Sequence, residues 1–283
     1  MTIKNSSIKE LKEKYKLGLG LKRLREIQGQ ILISIIIPLY NEEKTIKNII
    51  NRIPDYFNHE IIIVDDGSKD NSVNEVFNIK NKNISLISHN ENKGYGASIL
   101  TGIKYAKGDI IITIDSDGQH NPEEIPILIQ PILANEADIV VGSRYKGTSN
   151  YRVPLHTRAG EYVVNRSLWY LFHQKIGNNQ SGFRAFNKKS LKLFNDVIFS
   201  KFGLCTEILF KAAFNGFKIC EVPILINERK HGVSYNKVIE VFKSICTIIL
   251  LYFLKKIRIA KIIPKRIWER IYLNLIIYLT RLY

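Results

Sequence analysis

Carboxylates gather at three points of this 283-residue sequence. Glu42 closes the run Pro38-Leu39-Tyr40-Asn41-Glu42, Asp65 and Asp66 follow a stretch of isoleucine and valine, and Asp115-Ser116-Asp117-Gly118-Gln119 follows another. Each cluster alone reads as turn chemistry, since Asp-Gly is a common turn and Asn-Glu a helix start. Brought together, so many acids repel and raise one another's pKa unless a cation joins them. Oxygen donors without histidine or thiolate suit Mg2+ or Mn2+, with the coordination completed by substrate phosphates. The chemistry expected is the handling of a metal-bound nucleotide diphosphate. His120, directly after the acidic motif, reads as a supporting contact rather than a base.

Such a convergence requires elements that end at one edge. Ile33-Ser34-Ile35-Ile36-Ile37 is continuous and β-branched, as in a strand buried on both faces. Helical spacing runs from Glu42 to Ile53 and stops at Pro54. Glu60 to Val64, Ile84 to Ser88, Asp109 to Ile114 and Asp138 to Val141 read as further strands. A helix is expected from about Gly94 to Lys107, closed by Gly108, and another from Asn121-Pro122-Glu123-Glu124, with proline and early acids at its start. The alternation predicts an α/β fold, an open and mostly parallel sheet whose ligand lies beyond the carboxyl ends of its strands. All three acidic clusters fall there.

Composition narrows the class. With 45% hydrophobic and 24% charged residues, the chain is neither disordered nor low-complexity. Its three cysteines, Cys205, Cys220 and Cys246, are too far apart for a Cys-x-x-Cys site, and no His-Glu-x-x-His occurs, which argues against a zinc enzyme or a disulfide-stapled module. The formal charge is +16, and it is uneven: the ends hold most of it, while the segment 31–228 is close to neutral. That pattern sets two basic ends, read as 1–30 and 236–283, apart from a globular domain over 31–235. A basic nucleic-acid-binding protein would carry its charge on the folded face, so no nucleic-acid partner is expected.

The C-terminal segment is apolar as well as basic. Ile245 to Leu254 is an unbroken apolar run flanked by Lys243, Lys255 and Lys256. As a helix it covers about 15 Å, roughly half a bilayer's hydrocarbon core, too short to span. From Ile267 to Tyr283, Arg266, Arg270 and Asn274 recur at four-residue spacing beside Trp268, Ile271, Leu275 and Tyr278. Helices of this kind lie in the membrane interface, although they also suit packing on the globule or a dimer seam. The first 30 residues lack the apolar core of a signal peptide. The expectation is peripheral or monotopic attachment to the cytoplasmic face of a membrane.

The ordered motifs resemble those of family 2 glycosyltransferases of the GT-A fold, especially the dolichyl- and polyprenyl-phosphate mannosyl- and glucosyltransferases. They are Ile-Ile-Ile-Pro-Leu-Tyr-Asn-Glu-Glu (35–43), Ile-Ile-Ile-Val-Asp-Asp-Gly-Ser-Lys-Asp (61–70), Asn92-Lys93-Gly94-Tyr95-Gly96-Ala97, Asp115 to His120, Val-Gly-Ser-Arg (141–144), Gln-Ser-Gly-Phe-Arg (180–184), Glu-Val-Pro-Ile (221–224) and Glu228-Arg229. The resemblance implies that Pro38, Tyr40 and Glu42 line the nucleotide pocket and that Val64 and Asp66 hold the base and its ribose. It places Asp115, Ser116 and Asp117 at the diphosphate, with Asp117 and Gln119 as metal ligands and Asp115 close by. Arg144 and Arg158 would receive the acceptor's phosphate, and Arg229 would clamp the donor diphosphate from a mobile loop. Some relatives carry a lysine six residues after that arginine, where this chain has Tyr235, with Lys237 the nearest substitute. The Gln-x-x-Arg-Trp signature of processive synthases is absent.

The implied reaction moves a hexose from a UDP- or GDP-sugar to a polyprenyl or dolichyl phosphate, with inversion at the anomeric carbon. A phosphate acceptor with a second pKa near ~6 is mostly dianionic at neutral pH and needs no base, only cations to hold it in line. Arg144, Arg152, Arg158 and Arg184 supply such cations after the sheet. A transferase of the same fold acting on a hydroxyl would instead need a carboxylate or histidine base beside the acceptor.

Overall fold

The computed structural model describes residues 31–80, 83–150, 153–229 and 238–259, together with positions 267 and 274. The expectations for 1–30, for Arg152, for Tyr235 and Lys237, and for most of the second amphipathic stretch lie outside the described residues.

In chain order the elements are β1 (Ile33–Leu39), α1 (Ile46–Asn51), β2 (His59–Asp65), α2 (Ser72–Phe77), β3 (Ile84–Ser88), α3 (Tyr95–Tyr105), β4 (Ile110–Thr113), α4 (Ile125–Leu133), β5 (Ile139–Ser149), α5 (Leu155–Phe172), β6 (Arg184–Asn187), α6 (Gly203–Phe214), β7 (Ile219–Ile226) and α7 (Val238–Ile259). Their strands form one seven-stranded sheet in the order β3-β2-β1-β4-β6-β5-β7. Only β6 runs against its neighbours; the other pairings are parallel. All of β1 and nearly all of β2 and β4 are buried, so their continuous isoleucine runs face apolar side chains on both sheet faces. One core layer joins Ile35, Ile37, Ile61, Ile63, Ile112 and Leu128, and the other joins Ile36, Ile62, Ile111, Ile99 and Ile208.

The sheet's register makes the edge on which the acids meet. Leu39 pairs with Asp65, and Ile36 with Thr113, so the strands leading to Glu42, Asp66 and Asp115 end level with one another. The antiparallel β6 starts at that same edge, with Arg184 opposite both Thr113 and Val141. The 178–183 segment is thereby delivered beside the acidic loop, and Gly142-Ser143-Arg144 runs out past it.

Local departures from the expected elements have identifiable causes. The helix expected from Glu42 begins only at Ile46, because Asn41 adopts a left-handed φ of 54° and the Glu42 amide donates to Ser72 Oγ at 2.8 Å. Those bonds hold 41–45 as a turn. Gly108 does not close α3, which stops at an extended Ala106. Its role is close approach, since a Cβ there would sit 2.6 Å from the Ser34 backbone nitrogen. After Asn121 the chain takes a short 3-10 turn, Pro122–Glu124, before α4.

The apolar run in the C-terminal segment belongs to α7, which packs on α5 and α6. Ile245, Ile248, Leu251 and Tyr252 are buried against Val164, Leu168 and Phe210. Burying each such side chain contributes about 1.5–3 kcal/mol, which holds this face of the helix to the globule. No helix among the described residues is long and apolar enough to cross a membrane.

Candidate active site

The acidic loop is anchored from both sides. Ser116 donates its hydroxyl to the Pro38 carbonyl at 2.7 Å, and Thr45 Oγ1 donates to the Ser116 carbonyl at 2.7 Å. Pro38, Ser116 and the turn before α1 therefore form one unit. Tyr40 and Glu42 lie on its rim, Tyr40 half-buried and Glu42 6% exposed. Burial, reinforced by the charge of Asp117, pushes the Glu42 carboxyl up to about 7 despite the opposing Arg229.

Asp115 and Asp117 differ in their surroundings. One oxygen of Asp115 is walled in without a hydrogen-bond partner, while the side chain as a whole keeps 29% exposure. Burial raises its pKa, and the nearby His120, 3.5 Å away, opposes that. The wall includes Gly182, where a Cβ would come within 2.2 Å of Asp115 Oδ1. A larger residue there would have to displace the Asp115 carboxylate, and that is a physical reason for the glycine of the Gln-Ser-Gly-Phe-Arg motif. Asp117 Oδ1 accepts from the Gln119 amide at 3.0 Å, which turns the loop through Gly118 at a φ of 78°. His120 is buried against the Phe183 ring, and its Nδ1 has no hydrogen-bond partner, so it supports the loop from behind.

Strand β7 carries the arginine onto these acids. The Asn227 amide donates to the Gln119 carbonyl at 2.9 Å, and Gln119 Nε2 donates back to the Asn227 carbonyl at 3.3 Å. Both oxygens of the buried Glu124, pushed up to about 8 by desolvation, face the Leu225 amide within 3.2 Å. So fixed, the strand end directs Arg229 into an ion pair with Glu42 and to 3.8 Å from Asp117. In the sequence Glu124 reads only as an early acid of a helix start and Asn227 has no role; their contribution to the site depends on a strand pairing that spacing does not reveal.

The donor set is one of hard oxygen ligands. Among the described residues no group of three or more His, Cys, Asp and Glu side chains could cage a metal ion by itself. Asp115 does, however, keep a buried oxygen without a hydrogen-bond partner within the acidic loop. One or two carboxylates, with substrate phosphates completing the shell, is the way Mg2+ is ordinarily bound, and the residues fit that arrangement.

Val64 and Asp66 are placed differently from the other nucleotide-side residues. The Val64 side chain is fully buried in the core beside Ile36 and Ile62. Asp66 is taken up by the next loop: it accepts from the Lys93 and Gly94 amides at 2.9 and 2.8 Å and pairs with His89 Nδ1 at 2.7 Å. His89 in turn contacts Thr101 Oγ1 at 2.9 Å. This network stiffens the Asn92-Lys93-Gly94 turn at the end of β2.

The arginines separate by role. Arg184 is not an acceptor cation: its guanidinium is buried and bonds three backbone carbonyls, those of Ser181, Cys205 and Asn179, at 2.7–2.9 Å. Arg144, midway along β5, pairs with Glu161 of α5 at 2.5 Å. Arg158, on the first turn of the same helix, is exposed and lies one turn before Glu161. Glu161 had no motif to announce it, and only the packing of α5 on β5 brings it to Arg144.

Residues 34–194 match the sequence family described as Glycosyl transferase family 2. The chain belongs to that family. The transferase is 39% identical over 212 residues to the UDP-N-acetylglucosamine--dolichyl-phosphate N-acetylglucosaminyltransferase of Methanococcus voltae, covering 68% of this chain and 84% of that one. It is 33% identical over 215 residues to the dolichol-phosphate mannosyltransferase of Pyrococcus furiosus, covering 72% of this chain and 59% of the relative. Its fold, the GT-A arrangement expected from the sequence, matches the glucosyl-3-phosphoglycerate synthase of Mycobacterium tuberculosis solved with Mn2+, UDP-glucose and phosphoglyceric acid. That match has a TM-score of 0.62 and 21% identity, and it covers 82% of this chain and 83% of the other.

Proposed function

We propose that this glycosyltransferase moves a hexose from a UDP- or GDP-sugar to a polyprenyl phosphate of the dolichyl type, with inversion, at the cytoplasmic surface of a membrane. The observation that carries the reading is a division of charge. Glu42, Asp115 and Asp117 gather after the central strands β1 and β4, while Arg144 lies on β5, farther along the sheet, and Arg158 on α5, the helix that follows β5. An acidic lip suits a cation-bound diphosphate, and an arginine pair suits an anionic acceptor. The relatives named for dolichyl phosphate support the same assignment.

Asp117, Gln119 and Asp115 are the residues that would hold Mg2+ or Mn2+, which when bound neutralises charge growing on the departing diphosphate. Pro38, Tyr40, Glu42 and Ser116 shape the adjoining nucleotide side. Arg229 exchanges its contacts with Glu42 and Asp117 for the diphosphate and adds a second positive charge there. Arg144 and Arg158 orient the acceptor phosphate for attack from the opposite face, so that an α-linked donor gives a β-linked product. A hydroxyl acceptor fits less well: Glu161, the buried acid on this side, is engaged by Arg144 and Tyr145, and His120 is buried between Phe183 and Asp115.

The acceptor's lipid tail brings the protein to a bilayer. The two packed helices α5 and α7 expose Leu155, Tyr162, Tyr170, Phe242, Leu250 and Phe253, and Arg166 and Lys243 lie among them. Aromatic and aliphatic side chains mixed with cations match the chemistry of an anionic lipid interface.

Incubation with radiolabelled nucleotide sugars, Mg2+ or Mn2+, and a short polyprenyl phosphate tests the reaction. Label should pass into organic solvent with at least one donor. Transfer that proceeds without any polyprenyl phosphate would point to a hydroxyl acceptor instead.

A further inference from the structure

Glu161 is a carboxylate that the chemistry above does not require, yet it is only 2% exposed. Its Oε1 accepts from Arg144 Nη2 at 2.5 Å, and its Oε2 accepts from the Tyr145 hydroxyl at 2.6 Å. Its backbone carbonyl accepts from Asn179 Nδ2 at 2.9 Å. One residue therefore ties together the middle of β5, the first turns of α5 and the segment that precedes β6. Around this knot three buried polar atoms have no hydrogen-bond partner: Arg144 Nε, Ser143 Oγ and Asn178 Oδ1.

A guanidinium has five donors in a rigid fork on a long, flexible stem. Left to itself, Arg144 would sample many rotamers and meet a phosphate in only a few of them. Glu161 takes one nitrogen, the Tyr145 ring lies 5.1 Å from the guanidinium carbon, and at least one donor remains uncommitted. A negative charge beside a phosphate site works against a dianion electrostatically. Its contribution must then be orientation.

We propose that Glu161 is the positioning residue of the acceptor site, clamping Arg144 in the attitude that receives the acceptor's phosphate. The inference rests on the reading of Arg144 as an acceptor-phosphate ligand. Because Glu161 touches no substrate, it acts entirely through Arg144, and its effect belongs to the acceptor alone.

A double-mutant cycle tests this. Glu161→Gln preserves shape and one acceptor oxygen but removes the charge that holds the guanidinium. It should raise the acceptor KM about ten-fold, the scale on which misplaced positioning groups act. The donor KM and the slow hydrolysis of donor without acceptor should not change. In an Arg144→Ala background the same substitution should change the acceptor KM no further. If Arg144→Ala raises the acceptor KM while Glu161→Gln does not, or if the two effects add in full, the positioning role is wrong. If Arg144→Ala itself leaves the acceptor KM unaltered, the acceptor-site reading beneath it falls instead. Should Glu161→Gln not fold, Glu161→Asp, which keeps the charge but withdraws it by one methylene, must give the same acceptor-selective rise or the proposal fails.

Discussion

Two arginines, Arg158 and the core-facing Arg184, illustrate how little a side chain's identity says without its surroundings. Arg184 spends its guanidinium on three carbonyls and is silent toward any ligand, whereas Arg158 stands exposed on the first turn of α5. Replacing Arg158 with alanine should therefore raise the acceptor KM several-fold while leaving donor affinity and thermal stability unchanged, because exposed substitutions typically shift stability by about 0.5 kcal/mol or less. Steady-state kinetics with each substrate varied in turn checks it; an unchanged acceptor KM and rate would remove Arg158 from the site. At this scale the sequence was informative about the acids, whose positions after apolar runs gave them away. It was uninformative about Glu161, Glu124 and Asn227, whose partners lie 17, 101 and 108 positions away along the chain.

At the scale of elements, continuous isoleucine runs made β1, β2 and β4 legible, because strands covered on both faces need no alternation. The four-residue β6 was missed: Arg184-Ala185-Phe186-Asn187 has neither a long apolar run nor a turn signal, and its reversed direction follows from pairing alone. Strand β5 extends to Ser149 rather than ending near Val141, since its outer half is stabilised by an irregular register with β7. The segment that leads into β6 makes a sharp prediction. Gly182→Ala puts a methyl into the space of the Asp115 carboxylate, so it should displace that side chain and cut the transfer rate by at least about ten-fold, with little loss of far-ultraviolet circular dichroism. Unimpaired turnover in this variant would mean that Asp115 has freedom to move and that its walled oxygen has no part in the chemistry.

For the whole molecule, the proposed division of donor from acceptor chemistry runs along the sheet edge, and α5 and α7 expose aromatic and aliphatic side chains that suit the proposed lipid contact. The C-terminal run expected at a membrane interface is in fact half committed to the globule, through Ile245, Ile248, Leu251 and Tyr252. Deleting α7 would consequently expose core rather than merely detach an anchor. The cleaner experiment replaces only the exposed Tyr170, Phe242 and Phe253 with serine. Sedimentation with anionic vesicles should weaken markedly while the melting temperature stays close to that of the parent. Full retention on vesicles would assign membrane attachment to other parts of the chain.

The acidic edge remains the centre of the account, and nucleotide binding reads it directly. Calorimetric titration of UDP and GDP, each with and without Mn2+, should show one nucleotide binding at least about ten-fold more tightly when the ion is present, and Asp117→Ala should erase that gain while leaving the ion-free affinity nearly intact. Equal affinities with and without Mn2+ for both nucleotides, or a gain that survives in Asp117→Ala, would contradict it.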